Sequence, residues 1–454
     1  MEGRGRPGGI PPEQVQGETQ RSQRSLPPNL ERVKQAIDRD PKAKLTALLH
    51  HINPEALKRA FGGLKPGASP GIDGVTMGEY SKDLEHNIDK LYEKVQSGKY
   101  RPLPARRRMI PKADGSQRPL GILALEDKIV QRAVGELLTV IYEKVFLDFS
   151  YGFRPGRGPR TAVDALQKLL LNSPVNFVLD ADLSKCFDSI DHEKMLLALA
   201  QRIADPRLLR LIEQWLKVGV LWSGELIEPE EGTPQGAPIS PILANVFLHY
   251  ALDLWVERWR RQSGCGPVII VRFADDFVLG FKYQSDARRM RTDLAQRLEH
   301  CGLRMNESKT RLIEFGRYAA ERRRNRGKGR PETFDFLGFT HYCSTTRTGR
   351  YMVKRKTQSK RLNRKLTEIR DEAGKRMHKP VKEQHRWLCS VLRGHYRYYG
   401  VQSNYQSLVR FYRVVRAIWK RALSRRSQKS GMNWKRYEQL LEAFPLPQPK
   451  LQPA

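Results

Sequence analysis

The sequence predicts an α+β fold in which helices and short strands are followed by an all-α module. Two segments rich in β-branched residues, 177–182 and 267–274, are typical of buried strands. Apolar residues recur at helical spacing through most of the remaining chain, and beyond Lys354 the helical spacing coincides with a strongly basic composition. The change in composition near Lys354 predicts a separate helical unit.

Composition limits the classes of function. The chain has 454 residues, enough for about three domains at ~150 residues each. Its 82 Lys and Arg residues exceed its 49 Asp and Glu residues by 33. Such an excess is rare in enzymes of small metabolites and favours nucleic acid as the partner, with an anionic membrane surface as the alternative. The five cysteines are widely spaced without a C-x-x-C pair, so we expect ordinary thiols.

Taken in order, the elements begin with a flexible tail over residues 1–28, which are rich in Gly, Pro, Gln and Ser. No apolar run of about 18 residues follows, and no secretion signal is evident, so we expect an intracellular protein without a membrane span. The apolar spacing predicts helices over residues 33–49, 54–64, 79–97, 126–146, 161–171 and 239–261.

Three carboxylates are the strongest candidates for chemistry. Asp275 and Asp276 lie between two apolar strand-like runs, which predicts a hairpin with two acids at its tip, and Asp182 ends another apolar strand. Buried charge of this kind requires a cation. Three carboxylates at one sheet edge can hold paired Mg²⁺ ions about 4 Å apart for phosphoryl transfer. The alternative for an Asp-Asp pair alone is a solvated turn.

Several further segments agree with one family when they are compared in chain order. Phe273–Asp276 resembles the x-x-Asp-Asp signature of reverse transcriptases, and Asp182 with Phe187 resembles their first palm motif. The chain is similar to bacterial group II intron-encoded reverse transcriptases in five more segments, which are Ile110–Ile122, Gly152–Arg157, Thr233–Asn245, Leu303–Thr310 and Phe334–Phe339. This collinear agreement extends from about residue 71 to residue 400.

The resemblance implies a right-hand polymerase. It places the fingers with an N-terminal extension at residues 29–175, the palm at 176–345, the thumb or maturase domain at 346–428, and a short DNA-contacting tail at 429–454. The chain ends soon after Tyr437, so we expect no His-Asn-His endonuclease domain. The family also implies a cytoplasmic, nucleoid-associated bacterial protein.

The resemblance also assigns roles to single residues. Asp182, Asp275 and Asp276 would be catalytic and hold two Mg²⁺ ions. Phe187 would exclude ribonucleotides by contact with the sugar, although an isolated aromatic residue is more often core. The other nucleotide-binding residues would be Lys112, Arg118, Gln235 and Lys309. The alternatives are solvated hairpin charges for Lys112 and Arg118, a helix-entry residue for Gln235 and a surface lysine for Lys309.

The basic C-terminal half is the candidate RNA-binding and primer-binding region. Arg393, Tyr396 and Arg397 lie in a segment that mixes cations with tyrosines and resembles the maturase motif. That mixture suits contact with RNA backbone and bases, with core packing as the alternative for the tyrosines. Cations also recur at steps of three and four residues along one predicted helix, at Arg410, Arg413, Arg416 and Lys420.

The resemblance therefore implies an RNA-directed DNA polymerase that binds its group II intron RNA and assists intron splicing and mobility. Its partners would be the intron RNA, an RNA template with a DNA primer, dNTPs and a DNA target, with no membrane. Three alternatives remain at this point: a non-catalytic RNA chaperone, a host-adopted reverse transcriptase in DNA repair, and an RNA-directed RNA polymerase. The sequence leaves open which intron RNA is bound and whether the chain dimerises.

Overall fold

The computed structural model describes residues 26–111, 117–184, 186–222, 225–227, 232, 236–426 and 431–452. The helices in chain order are α1 Pro28–Arg39, α2 Pro54–Gly62, α3 Met77–Tyr80, α4 Leu84–Gln96, α5 Leu125–Glu143, α6 Pro159–Asn172, α7 His192–Ala200, α8 Pro206–Lys217, α9 Ser240–Leu248, α10 Leu254–Gln262, α11 Gln284–His300, α12 Ala319–Asn325, α13 Ser359–Lys375, α14 Val381–Tyr399, α15 Tyr405–Ser424 and α16 Trp434–Ala443. A π-helical turn, His249–Asp253, joins α9 to α10.

The strands form three sheets. In chain order they are β1 Ala105–Pro111, β2 Gln117–Ile122, β3 Phe177–Ser184, β4 Val220–Trp222, β5 Glu225–Ile227, β6 Val268–Phe273, β7 Asp276–Phe281, β8 Arg304–Met305, β9 Arg311–Glu314, β10 Phe334–Phe336, β11 Phe339–Thr345 and β12 Tyr351–Thr357. The central sheet has the order β6-β7-β3-β8, with β9 also paired to β3. The other two sheets have the orders β2-β1-β4-β5 and β10-β11-β12. This mixture of helices and mainly antiparallel sheets, with β1 and β4 paired in parallel, confirms the predicted α+β class.

The predicted helix over residues 33–49 is wrong in its second half. Helix α1 ends at Arg39, and Pro41 follows two residues later, where its ring removes a backbone donor. The backbone N–H groups of Leu48 and Leu49 donate instead to the buried carboxylate of Asp205, at 2.6 and 2.9 Å. A long-range contact therefore replaces the local helical pattern.

Three large clusters of buried apolar side chains hold the described part of the chain together. The first packs the N-terminal helices and α7–α11 against one face of the central sheet. The second lies on the other face of that sheet, between α6 and the strands β10–β12. The third joins the helices α13–α16. The central sheet is thus covered on both faces, so a charged group within it needs partners at the sheet or an opening at its edge.

The described part of the C-terminal segment belongs to the helical unit. Tyr437 is fully buried and its hydroxyl donates to the carbonyl of Arg416 at 3.0 Å. The N–H of Gln452 donates to the carbonyl of Gly400 at 2.8 Å. Residues 434–452 therefore pack into the third cluster, and the assignment of residues 429–454 as a DNA-contacting tail stays a prediction. None of the described helices has the length and apolar character needed to cross a bilayer.

Candidate active site

The three candidate carboxylates meet at one end of the central sheet. Strands β3 and β7 are antiparallel, and their register sets Asp182 directly opposite Asp276. Strand β6 turns into β7 through Ala274 and Asp275, with Phe273 paired to Asp276. The predicted hairpin is therefore present, with Asp275 in its turn and Asp276 as the first residue of its second strand. The structure brings together acids that are 93 positions apart in the sequence.

The Ala274–Asp275 turn packs closely against the backbone at Gly152. Ala274 has a left-handed backbone, with φ of 56°. A Cβ atom at Gly152 would lie 2.4 Å from the backbone nitrogen of Ala274, so only glycine permits this approach. Gly152 opens the Gly152–Arg157 segment that the sequence analysis assigned to the fingers. The turn with Asp275 is thus seated on the backbone of that segment.

The carboxylates influence one another strongly. Burial, followed by the negative charges of Asp275 and Asp182 and a hydrogen bond with Asp182, raises the pKa of Asp276 to about 7. The cation of Arg361 acts in the opposite direction. Asp180 lies two residues before Asp182, and burial also raises its pKa, to about 6, against the influence of Arg311. This end of the sheet carries an excess of negative charge that a bound cation would relieve.

Lys309 supplies one such positive charge. Its Nζ lies 2.6 Å from Oδ2 of Asp182, and this hydrogen bond is the main cause of the raised pKa of Lys309. The N–H of Asn306 also donates to the carbonyl of Asp182 at 2.8 Å. Lys309 remains largely exposed. The structure therefore places Lys309 beside the carboxylates, on a turn that pairs with the end of β3.

Helices α13 and α14 also contribute residues near the carboxylates. The turn between β10 and β11 contains Gly338, and a Cβ there would lie 3.1 Å from Nη1 of Arg361 on α13. The hydroxyl of Tyr398 on α14 donates to the carbonyl of Leu337 at 2.9 Å. No local sequence signal marks Arg361, because its position beside Asp276 results from the packing of α13 against this turn.

The other candidate nucleotide-binding residues can be placed only in part. Lys112 and Gln235 lie outside the described residues. Strand pairing confirms the hairpin on which Arg118 lies, opposite Ile110. Phe187 is half-buried in a short 3-10 turn, packed against the first apolar cluster.

Two glycines flank Gln235 and touch different parts of the site. A Cβ at Gly232 would lie 2.9 Å from the carbonyl oxygen of Phe187, and one at Gly236 would lie 2.9 Å from the carbonyl oxygen of Gly121 in β2. Both glycines have positive φ, 94° and 107°. Close backbone approach therefore links Gly232 to Phe187 and Gly236 to strand β2.

The candidate RNA-binding residues separate into two groups. Arg393, Arg397, Arg410 and Arg413 are exposed on α14 and α15. Arg416 forms an ion pair with Glu438, and the ammonium of Lys420 lies over the ring of Trp434, 4.9 Å from its centroid. Both of these partners belong to α16.

The predicted contact of Tyr396 with RNA needs correction. Only 3% of this residue is exposed, and its hydroxyl donates to the carbonyl of Pro447 at 3.1 Å. The helical period turns its ring into the third cluster, while Arg393 and Arg397 face solvent. A stacking role on RNA does not fit this position, because Tyr396 packs within the third cluster beneath the exposed arginines.

The donor set suits a hard divalent cation. Carboxylate oxygens are the ligands that Mg²⁺ prefers, and the raised pKa of Asp276 marks a place where negative charge lacks compensation. Among the residues that the structure describes, no three histidine, cysteine or carboxylate side chains already stand in a metal-binding cluster. The carboxylates that would receive a cation face each other at Asp182 and Asp276, next to Asp275.

Comparison with known proteins decides the family. Residues 110–341 match the family profile described as reverse transcriptase (RNA-dependent DNA polymerase). This region contains all three aspartates and accounts for about half of the chain. The chain belongs to the reverse transcriptase family. The same region holds the central sheet and strand β2, so this reverse transcriptase carries the three aspartates of its candidate site within the matched part.

Individual relatives agree with the predicted subfamily. The reverse transcriptase is 34% identical over 309 residues to Protein YkfC of Escherichia coli, covering 60% of this chain and 81% of the relative. It is 38% identical over 173 residues to the group II intron-encoded protein LtrA of Lactococcus lactis, covering 38% of this chain and 28% of LtrA. A putative COX1/OXI3 intron 1 protein of Saccharomyces cerevisiae is 28% identical over 303 residues, covering 56% of this chain and 35% of that protein.

These matches confirm the predicted resemblance to group II intron-encoded reverse transcriptases and the predicted enzyme class, RNA-directed DNA polymerase. The chain spans most of the E. coli relative but only about a third of the two intron proteins. Reverse transcriptases as a family depend on divalent metal ions and bind nucleic acid.

Proposed function

We propose that Asp182, Asp275 and Asp276 hold two Mg²⁺ ions and that this site extends a DNA primer on an RNA template with dNTPs. The observation that carries the proposal is the register that sets Asp182 opposite Asp276, beside the turn that holds Asp275. When bound, the ions would activate the primer hydroxyl and neutralise the triphosphate. Their number and ligands are part of the proposal.

The chain's own residues would bind and orient the reactants. Lys309, already beside Asp182, would release that carboxylate to a metal ion and turn to the departing pyrophosphate. Phe187 would press against the sugar of the incoming nucleotide and exclude a 2′ hydroxyl. Lys112, Arg118 and Gln235 would contact the nucleotide, which is supported by the close approach of Gly232 to Phe187 and of Gly236 to β2.

We also propose that the chain is divided as a right-hand polymerase. Residues 29–175 would be the fingers, 176–345 the palm and 346–428 the thumb or maturase domain. The helical packing of α13–α16 supports the last of these, and includes residues 434–452 in the same unit. Arg361 and Tyr398 would let the helical unit position the primer end, because both contact the turn between β10 and β11.

The exposed cations of α14 and α15 would bind the parent intron RNA through its phosphates, which would support splicing and mobility. Arg393, Arg397, Arg410 and Arg413 are the available set, since Arg416 and Lys420 are engaged by α16. The intron-encoded relatives support this assignment. A DNA target would contact residues 429–454.

Primer extension on an RNA template with dNTPs and Mg²⁺ tests the polymerase site. We expect Asp275→Ala to abolish extension while the protein still binds the template and primer. Asp286→Asn, in the first turn of α11, provides the matched control. Its buried carboxylate accepts hydrogen bonds from the N–H groups of Cys265 and Gly266, which precede β6 and lie at the opposite end of that strand from the Ala274–Asp275 turn. Unchanged extension by Asp275→Ala would refute the metal assignment.

A further inference from the structure

A fully buried arginine stands directly behind the turn that carries Asp275. Arg272 is 0% exposed, although it lies in a strand whose other central residues are apolar. Its guanidinium donates to both carboxylate oxygens of Asp253, at 2.7 and 2.6 Å. It also donates to the carbonyl of Ala274 at 2.9 Å and to the hydroxyl of Ser150 at 2.7 Å. With a further bond to Asn245, all five N–H donors of the planar guanidinium are used, which lysine could not reproduce.

The carboxylate partner comes from an irregular place in a helix. Asp253 is fully buried and ends the π-helical turn between α9 and α10. Single π-helical turns often occur at functional sites, because the extra residue changes where the following side chains point. A buried ion pair adds little to stability compared with apolar residues of the same volume. Stability alone therefore does not account for an arginine at this position.

The same arginine joins two motifs that the sequence analysis found separately. Its Nη1 donates to Oδ1 of Asn245, the last residue of the Thr233–Asn245 segment, at 3.1 Å. The amide nitrogen of Asn245 then donates to the carbonyl of Gly152 at 2.6 Å. The backbone of Arg272 also exchanges hydrogen bonds with the segment before Gly152, receiving one from Tyr151 and donating one to Phe149, both at 2.8 Å.

We propose that Arg272 is a positioning residue, which with Asp253 and Asn245 sets the location of the Ala274–Asp275 turn relative to Asp182. The carbonyl of Ala274 accepts a hydrogen bond from Arg272, and the backbone nitrogen of Ala274 packs against Gly152. Because Asp275 is the next residue, its carboxylate moves with this turn. The network acts on the carboxylates through the backbone and does not touch substrate. This inference rests on the proposed function of those carboxylates.

Arg272→Lys tests the proposal, since it keeps the charge but loses the fork of donors. We expect a half-saturating Mg²⁺ concentration in primer extension about 10-fold higher, the range typical when a partner that orients a metal ligand is removed. The maximum rate should fall by a similar factor, with an unchanged KM for the template-primer. Binding of Mn²⁺ to the protein without nucleic acid, followed by electron paramagnetic resonance, should weaken by about the same factor.

Two further variants keep the test decisive. Asn245→Ala removes the bridge to Gly152 but leaves the Arg272–Asp253 pair, so it should shift Mg²⁺ dependence in the same direction even if Arg272→Lys folds poorly. Asp286→Asn removes a buried carboxylate that accepts hydrogen bonds from Cys265 and Gly266, far along β6 from the turn. It should lower the melting temperature without changing Mn²⁺ affinity.

The outcomes separate this inference from the proposed function. If Arg272→Lys and Asn245→Ala lower the melting temperature as Asp286→Asn does and keep the wild-type Mn²⁺ affinity and Mg²⁺ dependence, the residues are structural only and the inference is wrong. If Asp275→Ala, measured in parallel, still extends primers, the polymerase site itself has been assigned wrongly.

Discussion

The carboxylate end of the central sheet and the cationic face of α14 and α15 carry opposite charges and are built in opposite ways. At the sheet, each group is positioned by strand pairing and buried hydrogen bonds, such as Asp182 opposite Asp276 and Arg272 on Ala274. On the helices, Arg393, Arg397, Arg410 and Arg413 project into solvent. The first region depends on exact distances and the second on density of charge.

The difference predicts how each region responds to mutation. A displaced metal ligand removes charge stabilisation at the reacting atoms, so loss of one group should be nearly as damaging as loss of all. Phosphate contacts contribute singly and additively to affinity, so loss of one surface arginine should be mild. The predictions below test this contrast, from the largest expected effect to the smallest.

We expect Asp182→Ala to lower the rate of primer extension by about 1,000-fold or more, because a metal ion contributes several kcal/mol to stabilising the transition state and each ~1.4 kcal/mol is a factor of ten. Affinity for RNA should stay within twofold of the wild type. Single-turnover extension and filter binding measure the two quantities. A parallel fall in both would show that the two regions do not act separately.

Substitutions of the exposed arginines on α14 and α15 should weaken RNA binding and leave the rate of primer extension nearly unchanged. Replacing Arg393, Arg397, Arg410 and Arg413 together by alanine should weaken RNA binding on the order of 100-fold and reduce the logarithmic salt slope by about 3, with each single change contributing equally. Extension from a saturating primer-template should change little. Salt titrations of binding check this.

Arg416→Ala with Lys420→Ala is the matched pair for that experiment. These cations are held by Glu438 and Trp434 of α16, so their loss should lower stability more than it changes the salt slope. A slope reduced as strongly as by an exposed pair would show that α16 leaves this surface when RNA binds.

Phe187→Val should increase incorporation of ribonucleotides relative to deoxynucleotides by about 10-fold, the scale on which shape alone discriminates between substrates. The ring is half-buried against the first apolar cluster, so some loss of stability should accompany the change. Competition between rNTPs and dNTPs in primer extension gives the ratio. An unchanged ratio would remove the steric role.

The smallest effect concerns His341, a fully buried residue of β11. Burial, assisted by Arg355, lowers its pKa to about 3. The unfolded chain takes up a proton below about pH 6.5, whereas the native chain does not until about pH 3, so stability falls as pH decreases through this window.

Replacement of His341 by leucine should therefore flatten the fall in unfolding free energy between pH 6 and pH 4 by up to about 1.4 kcal/mol per pH unit. Urea unfolding at several pH values measures this slope. His86→Leu, the same replacement at an exposed histidine, is the control variant. Equal slopes for wild type and His341→Leu would contradict a neutral buried imidazole.

Much of the candidate site was predictable from local pattern. An apolar run, two acids and a second apolar run predict a hairpin wherever they occur, because strand formation and turn position depend mainly on neighbouring residues. The spacing of the cations along α15 likewise predicted a helix with Arg410 and Arg413 on its solvent side. The boundaries of α1 and the burial of Tyr396 were not predictable in the same way, since each depends on what packs against the segment.

The sequence by itself determined the α+β class, the order of the motifs, the hairpin that carries Asp275 and Asp276, and the basic helical unit near the C-terminus. Only the tertiary structure decided that Asp182 pairs with Asp276, that Lys309 reaches Asp182, and that Arg272 joins Asp253, Asn245 and Ser150 behind the turn. The reason is physical: a strand or helix forms from neighbouring residues, whereas the register between strands and the partners of a buried charge depend on segments that meet only when the whole chain has packed.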